Sequence, residues 1–208
     1  MNSRENILEK LSQKSHSFEE RNSLDVLHVV SNLSDNPAEM LAHFIVEAEK
    51  LHYTIHQVDD EKSAVKTILE LLKDEKNVLG WDFEKIGLDN LEEALRENEI
   101  QLTPSPDPEL RYGITGVDAA LAATGSIVLA SGAGKARVAS LLPPIHIAVL
   151  RSEQIVRDLE TWIALQQDFG EASNVVIISG PSKTADIAME LVLGMHGPQE
   201  VNLVLIKS

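Results

Sequence analysis

Cysteine is absent from the 208 residues. That absence excludes disulfides and removes the thiolates that ordinarily hold an iron–sulfur cluster. Long apolar runs are missing too. No stretch approaches the roughly 20 residues that cross a bilayer, and the start lacks a secretory pattern, so a cytoplasmic protein is expected. Positive charge is scarce: 18 Lys and Arg stand against 33 Asp and Glu, for a formal net charge of −15. Phosphate affinity comes from Lys and Arg, so non-specific nucleic-acid binding is excluded as a function class. Metal-ligand spacing is lacking as well. Five of the seven His fall at positions 16, 28, 43, 52 and 56, and the close pair, His52 and His56, flanks a strand pattern that does not bring them together. With no Cys and no His-Glu-x-x-His, no metal site and no cofactor held by this chain are expected.

What is present suits one sizeable α/β domain, with 43% hydrophobic residues to build a core. Residues 1–110 hold 11 Lys and Arg against 24 Asp and Glu, residues 111–208 hold 7 against 9, and nine of the 11 Gly follow residue 112. The first half reads as acidic, solvated scaffold, and tight turns and candidate chemistry concentrate in the second. Residues 1–36 read as an N-terminal arm with a short amphipathic helix, Ser3 to Gln13, and residues 37–208 as the α/β domain.

Pro37 to Leu51 reads as a helix, Tyr53 to Val58 as a strand, Glu61 to Lys73 as a helix and Asn77 to Trp81 as a strand. Leu91 to Glu97 is helical and Ile100 to Leu102 extended. This alternation predicts a mainly parallel central sheet with helices on its faces. The proline-rich Thr103 to Pro108 is a connector. Beyond it, Gly113 to Gly116 reads as a turn, Asp118 to Ala123 as a short helix and Ile127 to Ala130 as a buried strand. Ser131 to Arg137 superficially suggests a phosphate loop. Leu129 and Ala136 break the Walker pattern and Arg137 breaks the dinucleotide pattern, which leaves a Gly turn in which Lys135 and Arg137 supply positive charge. Ile145 to Leu150 is a strand with His146 at its margin, and Ser152 to Phe169 a long helix with Trp162 on its apolar face.

The stretch from Val175 to Gln199 is the most suggestive. Val175 to Ile178 reads as a fully buried strand, Ser179-Gly180-Pro181-Ser182 breaks it, and Lys183 to Leu193 has helical spacing through Ile187, Leu191 and Val192. A strand, a tight turn and a helix N-terminus form a potential anion site, where free N–H groups and the helix dipole converge. An ordinary turn with a Ser cap is the other reading of the same residues.

Ser179 to Ile187 with Gly194-Met195-His196-Gly197-Pro198 closely resembles the signature of the LUD-domain family, whose best-known members are the lactate-utilisation C proteins. Gly113 to Asp118, Ala123 to Ser126, Ser140 to Pro143 and His146-Ile147 are similar to that family in the same order. Two departures stand out: Lys183 where the signature more often has Arg, and Ala188 where Glu is usual, with Glu190 the nearest substitute carboxylate. The resemblance implies a fold similar to the sugar-isomerase, ribose-phosphate-isomerase and CoA-transferase superfamily. It also implies a part in oxidising L-lactate to pyruvate, beside iron–sulfur partner proteins that take the electrons. The expected ligand is a small carboxylate or phosphate, held by Thr115, Thr124, Gly125, Ser126, Ser179, Gly180, Ser182, Lys183 and Thr184. The alternative is a free-standing isomerase or acyl/CoA-transferase-like enzyme on a phosphorylated or CoA-linked substrate, with Asp118, Asp186 or His196 as acid or base.

The composition sets a first test. Purified protein is expected to be colourless and to hold no stoichiometric iron; metal analysis finding one iron or more per chain after chelator treatment refutes this.

Overall fold

A computed structural model describes residues 33–165, 172–185, 191–193 and 197–207. Of the arm expected over 1–36, residues 1–32 lie outside the described residues; Leu33 packs on the core and Asp35 pairs with Arg157 at 3.1 Å. Helix α1 (Pro37–Lys50) begins where Asn36 accepts from the Ala38 and Glu39 N–H groups at 2.9 and 3.4 Å. Pro37 takes the first turn, where a missing N–H costs nothing. Asp60 caps α2 (Glu61–Leu72) through the Ser63 N–H at 2.7 Å. The helical spacing of Ala64, Val65, Ile68 and Leu72 then buries one face of α2 against β1 (Thr54–Val58) and the last strand, β12 (Glu200–Ile206).

Six strands form the central sheet in the order β1-β12-β7-β4-β2-β3, every neighbouring pair parallel. Here β2 is Asn77–Gly80, β3 Gln101–Thr103, β4 Tyr112–Gly116 and β7 Ile145–Arg151. Short helices α3 (Phe83–Ile86) and α4 (Leu91–Glu97) link β2 to β3. The mainly parallel α/β sheet expected from the alternation is therefore observed. Its middle strands are apolar almost throughout, as strands covered on both faces must be. No described helix is long and apolar enough to cross a membrane.

A second sheet, β8-β5-β6-β9, packs beside the first. It contains β5 (Ala119–Leu121), β6 (Ser126–Ser131), β8 (Ile155–Val156) and β9 (Asn174–Ile178). Ile127, Leu129 and Ile178 on one face join the main core. Ala119, Leu121 and Val128 on the other pack under Trp162 of α5 (Leu159–Leu165). Trp162 is core, as its spacing suggested, at 4% exposure.

Several expectations are corrected. Gly113 to Gly116 is a buried strand, and its glycines serve close approach rather than turning. A Cβ at Gly113 would lie 1.9 Å from the Ala139 carbonyl oxygen, and one at Gly116 2.7 Å from that of Lys85. Asp118 to Ala123 contains β5 rather than a helix, because its small residues pair with β6. The helix expected from Ser152 starts at Leu159, since Ile155 and Val156 are drawn into the second sheet beside β5. Val175 to Ile178 is a strand but not a fully buried one: it is paired on one side with β6, leaving Val175 37% and Ile177 44% exposed. Lys183 to Leu193 is not the expected helix. Lys183–Ala185 (β10) and Leu191–Leu193 (β11) pair antiparallel, and residues 186–190 lie outside the described residues.

His146 sits not at a margin but inside the central sheet, wholly buried, its Nε2 2.9 Å from Thr115 Oγ1 on the neighbouring strand. Its Nδ1 has no partner among the described residues. Burial disfavours the imidazolium and pulls the pKa from 6.5 down to about 3. The depressed value means that the unfolded chain binds this proton first. The neutral ring's contribution is thus fully present above about pH 6.5 and is lost as pH falls toward 3. His146→Gln keeps a polar group near Thr115 but cannot titrate. Denaturant unfolding between pH 7 and pH 5 should show wild type losing stability relative to this variant, approaching ~1.4 kcal/mol per pH unit. Parallel pH profiles for the two proteins refute the assignment.

Candidate functional site

The central sheet reverses its strand order beside β2. From β2 the chain moves outward to β3, then returns to lay down β4, β7 and β12 on the other side. In open α/β sheets, ligands bind beyond the carboxyl ends of strands at such a reversal, where the connections diverge and leave a crevice. Here those ends deliver Trp81, Asp82 and Lys85 after β2, and Val117 and Asp118 after β4.

The Ser131 to Arg137 loop closes over this end. The Asp82 N–H donates to the Gly134 carbonyl at 2.8 Å, and the buried Trp81 indole N–H to the Ala136 carbonyl at 3.3 Å. Gly132 and Lys135 exchange backbone hydrogen bonds of 3.2 and 3.0 Å, leaving Ala133 and Gly134 as the tip. Gly134 has φ 72°, and a Cβ there would lie 2.6 Å from Asp82 Oδ2 and 3.2 Å from Lys85 Cγ. Glycine is what lets the loop and the start of α3 close together.

The Asp118 carboxylate is held at both oxygens. Oδ2 accepts the Ala130 N–H at 2.7 Å, and Oδ1 pairs with the Lys135 ammonium. That ammonium also lies 5.0 Å from the Trp81 ring centroid, within cation–π range. Lys135 is therefore fixed on two sides, whereas Lys85 is exposed. Both border a cavity of about 740 Å³, walled by Ala130, Ser131 and Ala172 and by the Gly132-Ala133 turn. Its charged lining among the described residues is two ammonium groups, Lys85 and the Asp118-paired Lys135, and the rest is small side chains. Among the described residues, no three His, Asp or Glu side chains converge as a metal site would require.

Most of the residues expected to bind a ligand lie elsewhere. Thr115 is wholly buried against His146. Thr124, Ser126 and Ser179 do come together as a chain of hydroxyls, Thr124 Oγ1 to Ser126 Oγ at 3.0 Å and Ser126 Oγ to Ser179 Oγ at 2.8 Å. Gly125 and Gly180, both at positive φ, let the same turns meet the end of α1: added Cβ atoms would lie 2.3 Å from the Ala48 nitrogen and 2.2 Å from the Leu51 oxygen. This cluster is at the start of β6 and the cleft at its end, ~17 Å apart at about 3.4 Å per residue. The Ser182 N–H, expected to face an anion, donates to the Pro198 carbonyl at 2.8 Å, and Lys183 and Thr184 belong to β10. With a strand where the helix was expected, the described residues there present no helix dipole. Asp118 alone of the three candidate acids and bases is placed, next to the cleft; Asp186 and His196 lie outside the described residues, as do Ala188 and Glu190.

The charges of Lys135 and Arg137 are legible in the sequence, whereas Trp81, Asp82 and Lys85 belong to no motif there. The available signal was the position of Trp81-Asp82 directly after an apolar strand, the end at which α/β folds gather ligands.

Comparison with known proteins adds the kinship. The family model described as the LUD domain matches residues 41–206. A protein named lactate utilization protein C from Halalkalibacterium halodurans is 30% identical over 193 residues, covering 84% of this chain and 83% of that protein. One of the same name from Macrococcus caseolyticus is 35% identical over 133 residues, 61% of this chain and 51% of its own length. The crystal structure of a DUF162 family protein from Deinococcus radiodurans superposes with a TM-score of 0.59 at 19% identity, over 82% of this chain and 98% of that one. That likeness is one of fold. With the LUD model matching from α1 to β12, this chain belongs to the LUD-domain family.

Proposed function

We propose that this chain is a component of a cytoplasmic L-lactate utilisation system, acting beside iron–sulfur proteins and binding an anion in the cleft between Lys85 and Lys135. The observation that carries this reading is the similarity to lactate utilization protein C along 84% of the chain. Oxidation of lactate to pyruvate releases two electrons and two protons. A chain without Cys has no thiolates with which to hold a cluster, so in this reading the electrons pass to clusters in partner proteins. This chain's own contribution is to bind and orient. The Asp118 pair and the Trp81 ring hold the Lys135 ammonium at the cleft wall, so little side-chain freedom remains to be lost when an anion arrives. Lys85, which is exposed, supplies the second charge from the opposite element.

Complementation of a strain lacking this gene tests the reading. Wild type should restore growth on L-lactate, and a Lys85→Ala, Lys135→Met double variant, present at equal level, should not. Each lost charge-assisted contact is worth about 1.5–3 kcal/mol, a ~10–100-fold loss in affinity. Ser182→Asp should grow normally. The reverse pattern, with the lysine variant growing and Ser182→Asp failing, moves the site to the far end of β6. Turnover of a sugar phosphate or acyl-CoA by the pure chain would instead favour a free-standing enzyme.

A further inference from the structure

The cleft is a poor match for lactate itself. Its volume of about 740 Å³ falls in the range of roughly 300–1,000 Å³ typical of sites for drug-sized molecules, whereas lactate has only a handful of non-hydrogen atoms. The donor set is compatible with a phosphate. Among the described residues its cations are two ammonium groups, point charges of the kind that partner phosphate. The Gly132-Ala133 turn borders the same cleft. The Ala133 N–H on the cleft wall makes no hydrogen bond among the described residues and is available to a ligand. Ala130, Ala133 and Ala172 add small apolar walls along which an organic moiety can lie.

We propose that the cleft takes a phosphorylated organic molecule of about nucleotide size rather than lactate, with phosphate against Lys85, Lys135 and the Gly132-Ala133 turn and the organic part along the alanine walls. This rests on the reading that the cleft is the chain's anion site, and it names the anion's class. Lactate is then bound and oxidised on the partner proteins, and this chain answers to a phosphorylated metabolite. Because the net charge of −15 repels anions at large, the attraction is local to the two ammoniums and weakens as salt screens them.

Calorimetric titration of the full chain at low salt with ADP, inorganic pyrophosphate and L-lactate decides it. ADP and pyrophosphate are expected to bind, ADP about tenfold or more tighter than L-lactate. Lys85→Ala should weaken ADP by about tenfold, the effect of one charge-assisted hydrogen bond, with an unchanged melting temperature because Lys85 is exposed. Lys135→Met gives a second, independent removal of charge. If L-lactate binds as tightly as ADP and depends on Lys85, the phosphorylated class is wrong while the cleft stands as the anion site. If ADP binds but neither lysine variant weakens it, or if none of the three binds at millimolar concentration, the cleft assignment falls as well.

Discussion

Strand β4 has backbone pressed against it on more than one side, and the rest of the architecture depends on that approach. The 3₁₀ turn Arg137–Ser140 comes down on Gly113, and the end of α3 comes down on Gly116. Any side chain at either position collides with main-chain atoms that cannot rotate away. Because both contacts are made, β4 can lie between β2 and β7 while the loop that follows β6 is pinned at the carboxyl end of the sheet. The same packing carries Asp118, just beyond the end of β4, onto Lys135.

Two lysines border the cleft of a strongly acidic protein. Lys135 is neutralised in part by Asp118, so its role is one of placement more than of field strength. Lys85 carries the less compensated charge, and it stands in the short helix after β2, in the half of the chain where acids dominate. Net charge acts over a Debye length of about 8–10 Å and beyond is screened, so at physiological salt the contacts within the cleft outweigh the global −15.

Most of the helix–strand order was legible because its signals are local. Asn36-Pro37 and Asp60 are caps whose chemistry is complete within four residues, and Ile145 to Leu150 is a short apolar run stopped by Pro143-Pro144 on one side and Arg151 on the other. The errors share one cause, tertiary pairing overriding local habit. Gly113 and Gly116 looked like turn residues because a sequence does not show which backbone will pack on them. Ala119 to Leu121 looked helical by composition, yet β6 supplies the hydrogen-bonding edge that makes them a strand. The cleft is illegible in the sequence for a related reason. The anion reading of Ser179 to Thr184 depends on a helix after it that is not there, while the cleft brings together Lys85 and Lys135, far apart in the chain.

The position of β12 bears on how the protein is made. It is the last described strand, yet it lies inside the sheet, between β1 and β7. Until it is synthesised, β1 has no partner strand in that sheet and β7 keeps an open edge. On the ribosome the growing chain therefore carries two unfilled strand edges, flanked by apolar residues, until β12 emerges. Such edges are templates for pairing with other chains, and long-range parallel pairing closes slowly. Folding of the central sheet is thus tied to the arrival of this late segment, and an interrupted chain lacking residues 200–206 would be exposed to aggregation and not merely less active.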